Sequence, residues 1–104
     1  MSTEIENIID KLNLRPHPEG GYYRELFKSD DRIKREFLPE RYCSERAFYT
    51  SIYYLITIDS FSSLHKLKSD EILFYHLGNP AIVLKLFPDG RGETETLGPD
   101  ISSG

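Results

Sequence analysis

Apolar positions near the N-terminus recur with a helical period. Ile5, Ile8, Ile9 and Leu12 fall at i, i+3, i+4 and i+7, a single stripe. Thr3 and Glu6 have the spacing of a capping box and set the helix start near residue 4. Pro16 and Pro18 forbid its continuation. So short a helix must dock its stripe on something larger. The turn "HPEGG" then breaks the chain before the aromatic run "GYYRELF", read as the first strand. Residues 29–46 are densely charged without a period of two, which predicts a solvated surface excursion. From Ala47 onward the pattern is β. "AFYTSIYYLITI", "EILFYHLG" and "AIVLKLF" are rich in β-branched and aromatic residues. Gly78-Asn79-Pro80 and Pro88-Asp89-Gly90 punctuate them as turns, Asp89-Gly90 suiting a tight hairpin. Short strands at close spacing predict an antiparallel sandwich or barrel.

Composition narrows the classes. The chain has 104 residues, 38% apolar and 29% charged, enough for one modest domain. Its net charge of −4 comes with no basic stripe, which argues against nucleic acid as a partner. No apolar stretch is long enough to span a bilayer, so no membrane partner is expected. The acidic, amphipathic start does not read as a signal peptide. The single Cys43 allows no intrachain disulfide and suits a reducing, cytoplasmic setting. In its charged loop it reads as incidental.

Ionisable groups gather in "FSSLHKLKSDEILFYHLG", where a loop enters an apolar run. A strand over residues 71–77 would put Glu71, Leu73, Tyr75 and Leu77 on one face and Ile72, Phe74 and His76 on the other. A carboxylate on an interior face needs a partner, and His65 is the natural one. This spacing resembles the first motif of the cupin superfamily: Gly, five residues, His-x-His, three or four residues, Glu, six residues, Gly. His65, Glu71 and Gly78 match it; Asp59 and Leu67 stand where the first Gly and the second His belong. Together with "LRPHPEGGYYRE" and "LGPD", the segment "HKLKSDE" resembles the cupin 5 family, a domain of unknown function.

The resemblance implies a jelly-roll β-barrel, commonly a homodimer, holding a small molecule, and a fold similar to sugar-nucleotide epimerases of the dTDP-4-dehydrorhamnose type. Metallocupins ligate with two His and a Glu from this motif and a further His from a second one. Only His65 and Glu71 are present here, a weak metal pair, so no cofactor is expected. A His–Glu pair could also abstract a proton, Glu71 orienting the His65 base and Tyr75 acting as acid. A polar pocket wall needs the same residues. Glu19, Gly20 and Gly21 could bring backbone N–H groups close to a ligand, and Arg24 could reach an anionic group. Lys66 and Lys68 read as exterior and His76 as structural.

The expected fold is therefore mostly β, a partial cupin-type jelly-roll barrel with a short N-terminal helix, in one domain over residues 1–104. About eight strands make a jelly roll, and only five or six are legible, so the chain reads as C-terminally truncated. Two functions fit: binding of a small polar or sugar-like molecule in the barrel pocket, or an isomerase or epimerase working through His65 and Glu71.

Overall fold

The structure, a computed structural model, describes residues 3–64 and 66–103. The chain falls into two compact units, residues 1–68 and 69–104. The first opens with helix α1 (Thr3–Leu12), on which Ile5, Ile8, Ile9 and Leu12 are half-buried while the other helical residues are exposed. The apolar stripe thus docks as its period predicts.

The helix ends in a Schellman turn. Asn13 adopts φ +53°, its N–H reaches Asp10 O, and the Leu14 N–H reaches Ile9 O at 2.9 Å. This brings Leu14 under the helix, where it is one of the few buried apolar residues described. Strands β1 (Arg15–Pro16) and β2 (Tyr22–Lys28) form a hairpin, and β5 (Thr50–Leu55) pairs with β2 antiparallel. In this register Tyr22, Arg24, Tyr53 and Leu55 share one face, and Tyr23, Glu25, Ile52 and Tyr54 the other. A bulge between Glu25 and Phe27 shifts the ladder by one residue.

The charged excursion is more structured than its composition suggests. Strand β3 (Arg32–Ile33) pairs with β4 (Arg46–Ala47), a 3-10 turn covers Arg35–Phe37, and Arg32 Nε lies 2.7 Å from Glu45 Oε1. Tyr42 is only 7% exposed, so the loop carries a buried anchor rather than being a purely solvated excursion. Charge density concealed that buried ring.

In the second unit, β6 (Ala81–Leu86) and β7 (Gly92–Leu97) form a hairpin. Gly90, at φ +87°, makes its turn; the Phe87 N–H bonds Arg91 O and the Gly90 N–H bonds Phe87 O. The Asp89-Gly90 expectation holds. The strand expected over residues 71–77 does not form: residues 71–76 carry no ladder, so the division into two faces fails. Glu71, Ile72 and Leu73 border a cleft against one face of the β6–β7 hairpin instead of extending its edge.

The mostly β class with one short helix is as expected. The strands form three separate sheets and do not close into a barrel. Closure requires an unbroken ring of backbone pairing, and among the described residues pairing stops at β1-β2-β5, β3-β4 and β6-β7.

The left-handed Asn13 yields a direct test. Asn13→Gly should stabilise the chain and Asn13→Val should destabilise it by about 1–2 kcal/mol, both read from urea unfolding midpoints. Equal midpoints for the two variants would rule out the Schellman turn.

Candidate functional site

The "PHPEGGYYRE" segment builds a tight hairpin turn. The His17 N–H donates to Gly21 O at 2.9 Å, and the Gly20 N–H to His17 O at 3.0 Å. The Glu19 N–H donates to His17 Nδ1 at 2.9 Å, which fixes that nitrogen as an acceptor. The imidazole stacks on Tyr54, with ring centres 5.1 Å apart, and meets Tyr23 edge-on at 4.8 Å. The Tyr54 hydroxyl donates to Gly20 O.

The glycines permit close approach. A Cβ on Gly20 would collide with the Phe61 carbonyl, and one on Gly21 would lie 2.6 Å from both Leu55 O and the Tyr54 ring. Both glycines also have positive φ, +106° and +75°. The Ser63 N–H donates to Glu19 O at 2.6 Å. The turn is thus packed onto the chain that leads into "HKLKSDE". The Arg24 guanidinium donates to Leu12 O at 3.1 Å and so caps the C-terminal end of α1.

A second set of contacts meets the same segment farther along. Lys68 O accepts from Arg41 Nε at 2.7 Å and from the Tyr42 hydroxyl at 2.9 Å. Lys68 Nζ lies 3.3 Å from Cys43 Sγ. The Tyr42 ring also lies under two guanidiniums, Arg41 at 4.8 Å and Arg46 at 5.3 Å. Sequence reasoning missed Arg41 and Tyr42, and it treated Cys43 as idle. An aromatic residue flanked by cations inside a charge run was the available signal. His65 lies outside the described residues.

In the second unit Glu71 lines an open cleft of about 330 Å³ with Lys85, Glu95 and Thr96, over Ile72, Leu73, Val83 and Leu97. Strand register explains most of the grouping: Val83, Lys85, Glu95 and Leu97 share one hairpin face, with Glu93 beside them, while Thr96 belongs to the other. Lys85 Nζ is 2.9 Å from Glu95 Oε1 and 4.0 Å from Glu93 Oε1. Its hydrogen bond to Glu95 raises Lys85 above the usual 10.5, against the opposing effect of desolvation. Tyr75 is half-buried, and its hydroxyl donates to Gly78 O at 2.7 Å.

The sequence matches the family described as Cupin superfamily (DUF985) over residues 6–104. The chain belongs to this cupin family. A solved structure titled "Hypothetical protein from Leishmania major" is similar, with 35% identity and a TM-score of 0.76. That match covers 93% of this cupin and 58% of the Leishmania chain, so the present chain spans little more than half of that protein. No curated protein matches.

Among the described residues of this cupin, no three His, Cys, Asp or Glu side chains converge on one point. The cleft at Glu71 holds the Lys85 ammonium beside the carboxylates of Glu71 and Glu95. No described helix is long and apolar enough to cross a membrane.

Two glycine substitutions separate backbone conformation from close approach. Gly90 has positive φ, but a Cβ there meets nothing within 4 Å. Gly90→Ala should cost roughly 1–2 kcal/mol. Gly20→Ala should cost roughly 1–3 kcal/mol more, because the added methyl overlaps the Phe61 backbone. Urea denaturation measures both; equal losses would mean that the turn does not press on that segment.

Proposed function

We propose that this cupin binds a small, neutral, sugar-like molecule, with Glu71 as a principal contact. The cleft around Glu71 carries the reading. Its lining alternates hydrogen-bonding groups with aliphatic ones, the mixture that a hydroxyl-rich ring presents on its edge and its face. Glu71 and Glu95 accept, Lys85 donates, and Ile72, Leu73, Val83 and Leu97 supply apolar contact.

Charge selects among polar ligands. Glu71, Glu93 and Glu95 outnumber Lys85, whose ammonium is already paired. An anion entering there would meet net repulsion, while a neutral polyol would not. This departs from the anionic ligand that Arg24 suggested, and Arg24 is engaged with the helix end. The backbone of Glu19–Gly21 is likewise occupied by the protein's own contacts.

An isomerase built on the same motif needs Tyr75 as an acid. The Tyr75 proton is directed at Gly78 O, which favours binding over catalysis.

Saturation-transfer NMR with glucose, N-acetylglucosamine and glucose 6-phosphate tests the proposal. The two neutral sugars should show transfer, and the phosphate ester less. Glu71→Gln or Lys85→Met should weaken the signal about tenfold or more, as expected for losing a hydrogen bond to a charged group. Preference for the phosphate ester, or no transfer at all, would sink the reading. Exchange of a carbon-bound proton of a bound sugar in deuterated water would establish the isomerase instead.

The proposal includes a homodimer. Ile82, Leu84 and Leu86 form an exposed apolar row on the hairpin face opposite the cleft, and Ile82 is 76% exposed. Burial against a second copy would take this row out of water. Sedimentation equilibrium should give twice 12.1 kDa, falling to 12.1 kDa in Leu84→Lys. A wild-type monomer at high micromolar concentration would remove this part.

A further inference from the structure

The segment from Ser63 to Lys68 is tied at both ends by parts of the chain far from it in sequence. At one end the Ser63 N–H donates to Glu19 O, and Gly20 sits against the Phe61 backbone. At the other, Lys68 O accepts two donors, from Arg41 and Tyr42. The residues spanned by the two ties include the first half of the "HKLKSDE" motif.

The structure assigns Tyr42 and Arg41 as positioning residues for this motif, acting as a clamp that opposes the Glu19–Gly20 turn. The assignment rests on the reading that the motif belongs to the ligand site. A chain free at one end samples many conformers, and each residue left loose costs conformational entropy when a ligand orders it. Fixing both ends removes most of that freedom before a ligand arrives.

The clamp has contacts of its own within the loop. Tyr42 is buried, and the Arg41 and Arg46 guanidiniums both lie over its ring. Arg46 lies in β4, whose pairing with β3 is reinforced by the Arg32–Glu45 ion pair. Lys68 Nζ on Cys43 Sγ adds a contact from the same loop. The charged excursion thereby carries a hydroxyl and a guanidinium to one carbonyl.

Tyr42→Phe removes the hydroxyl donor and keeps the ring beneath its cations. Arg41→Lys keeps the charge and removes the Nε donor on an exposed residue, so it guards against a Tyr42 variant that fails to fold. The first readout is amide hydrogen exchange over residues 64–68. Each variant should exchange there roughly three- to tenfold faster, the equivalent of one hydrogen bond of about 0.5–1.5 kcal/mol, while the β2–β5 amides keep their protection. The second is the His65 imidazole resonance, identified by its disappearance in His65→Gln. It should shift in both variants while that of His76 does not.

Unchanged exchange together with an unmoved His65 resonance in Arg41→Lys overturns the clamp. Neither readout needs a ligand. Sugar binding with an unresponsive segment would defeat the clamp alone, and a responsive segment without sugar binding would defeat the functional reading alone.

Discussion

Backbone-to-backbone contact at Gly20 is the constraint on which the first unit depends. No side chain can intervene where a Cβ would strike the Phe61 carbonyl, so the β1–β2 turn and the chain near residue 61 must run in direct contact. Everything near them adapts to that approach. Tyr54 leans its hydroxyl onto Gly20 O, His17 stacks on Tyr54, and Ser63 bonds Glu19 O. The "PHPEGGYYRE" segment is thus a docking surface for the start of the next motif. Two stretches that are separate in sequence are one object in space.

The legible parts of the fold were those decided locally. A stripe at i, i+3, i+4 and i+7 half-buries the same residues in the structure, and Pro16 follows the helix end as its ring requires. Asp89-Gly90 makes its turn because left-handed backbone suits Gly90 wherever the strands lead. The illegible parts needed a partner. Residues 71–77 have the composition of a strand, but a strand exists only when another backbone lies alongside. Composition cannot report whether that neighbour is present. The same limit hid Tyr42: its burial comes from Arg41, Arg46 and the Lys68 carbonyl, not from any apolar period.

The candidate site was legible as chemistry and less so as geometry. Glu71 was singled out by motif spacing, and it does line a cleft. Lys85, Glu93 and Glu95 went unnoticed, although their alternation across the Asp89-Gly90 turn places all three on one hairpin face. Counting inward positions from that turn would have found them. Arg24 went the other way. Its charge suggested an anion, whereas the carbonyls ending a helix are an equally good partner for a guanidinium, and Leu12 O is the one it meets.

One departure from the motif and one residue outside it bear on the ligand that the cleft would take. Leu67 replaces an imidazole donor with a side chain that cannot ligate. Lys85 then sets a permanent cation in the cleft that Glu71 lines, already hydrogen-bonded to Glu95. The carboxylates of Glu71, Glu93 and Glu95 outnumber that one ammonium, so an added anion meets net repulsion there. A neutral hydroxyl-rich ligand meets no such repulsion, since carboxylate and ammonium can each keep their charge while exchanging water for hydroxyl. The sugar-binding proposal therefore rests on the same mixture of carboxylate, ammonium and aliphatic lining that sets the charge of the cleft.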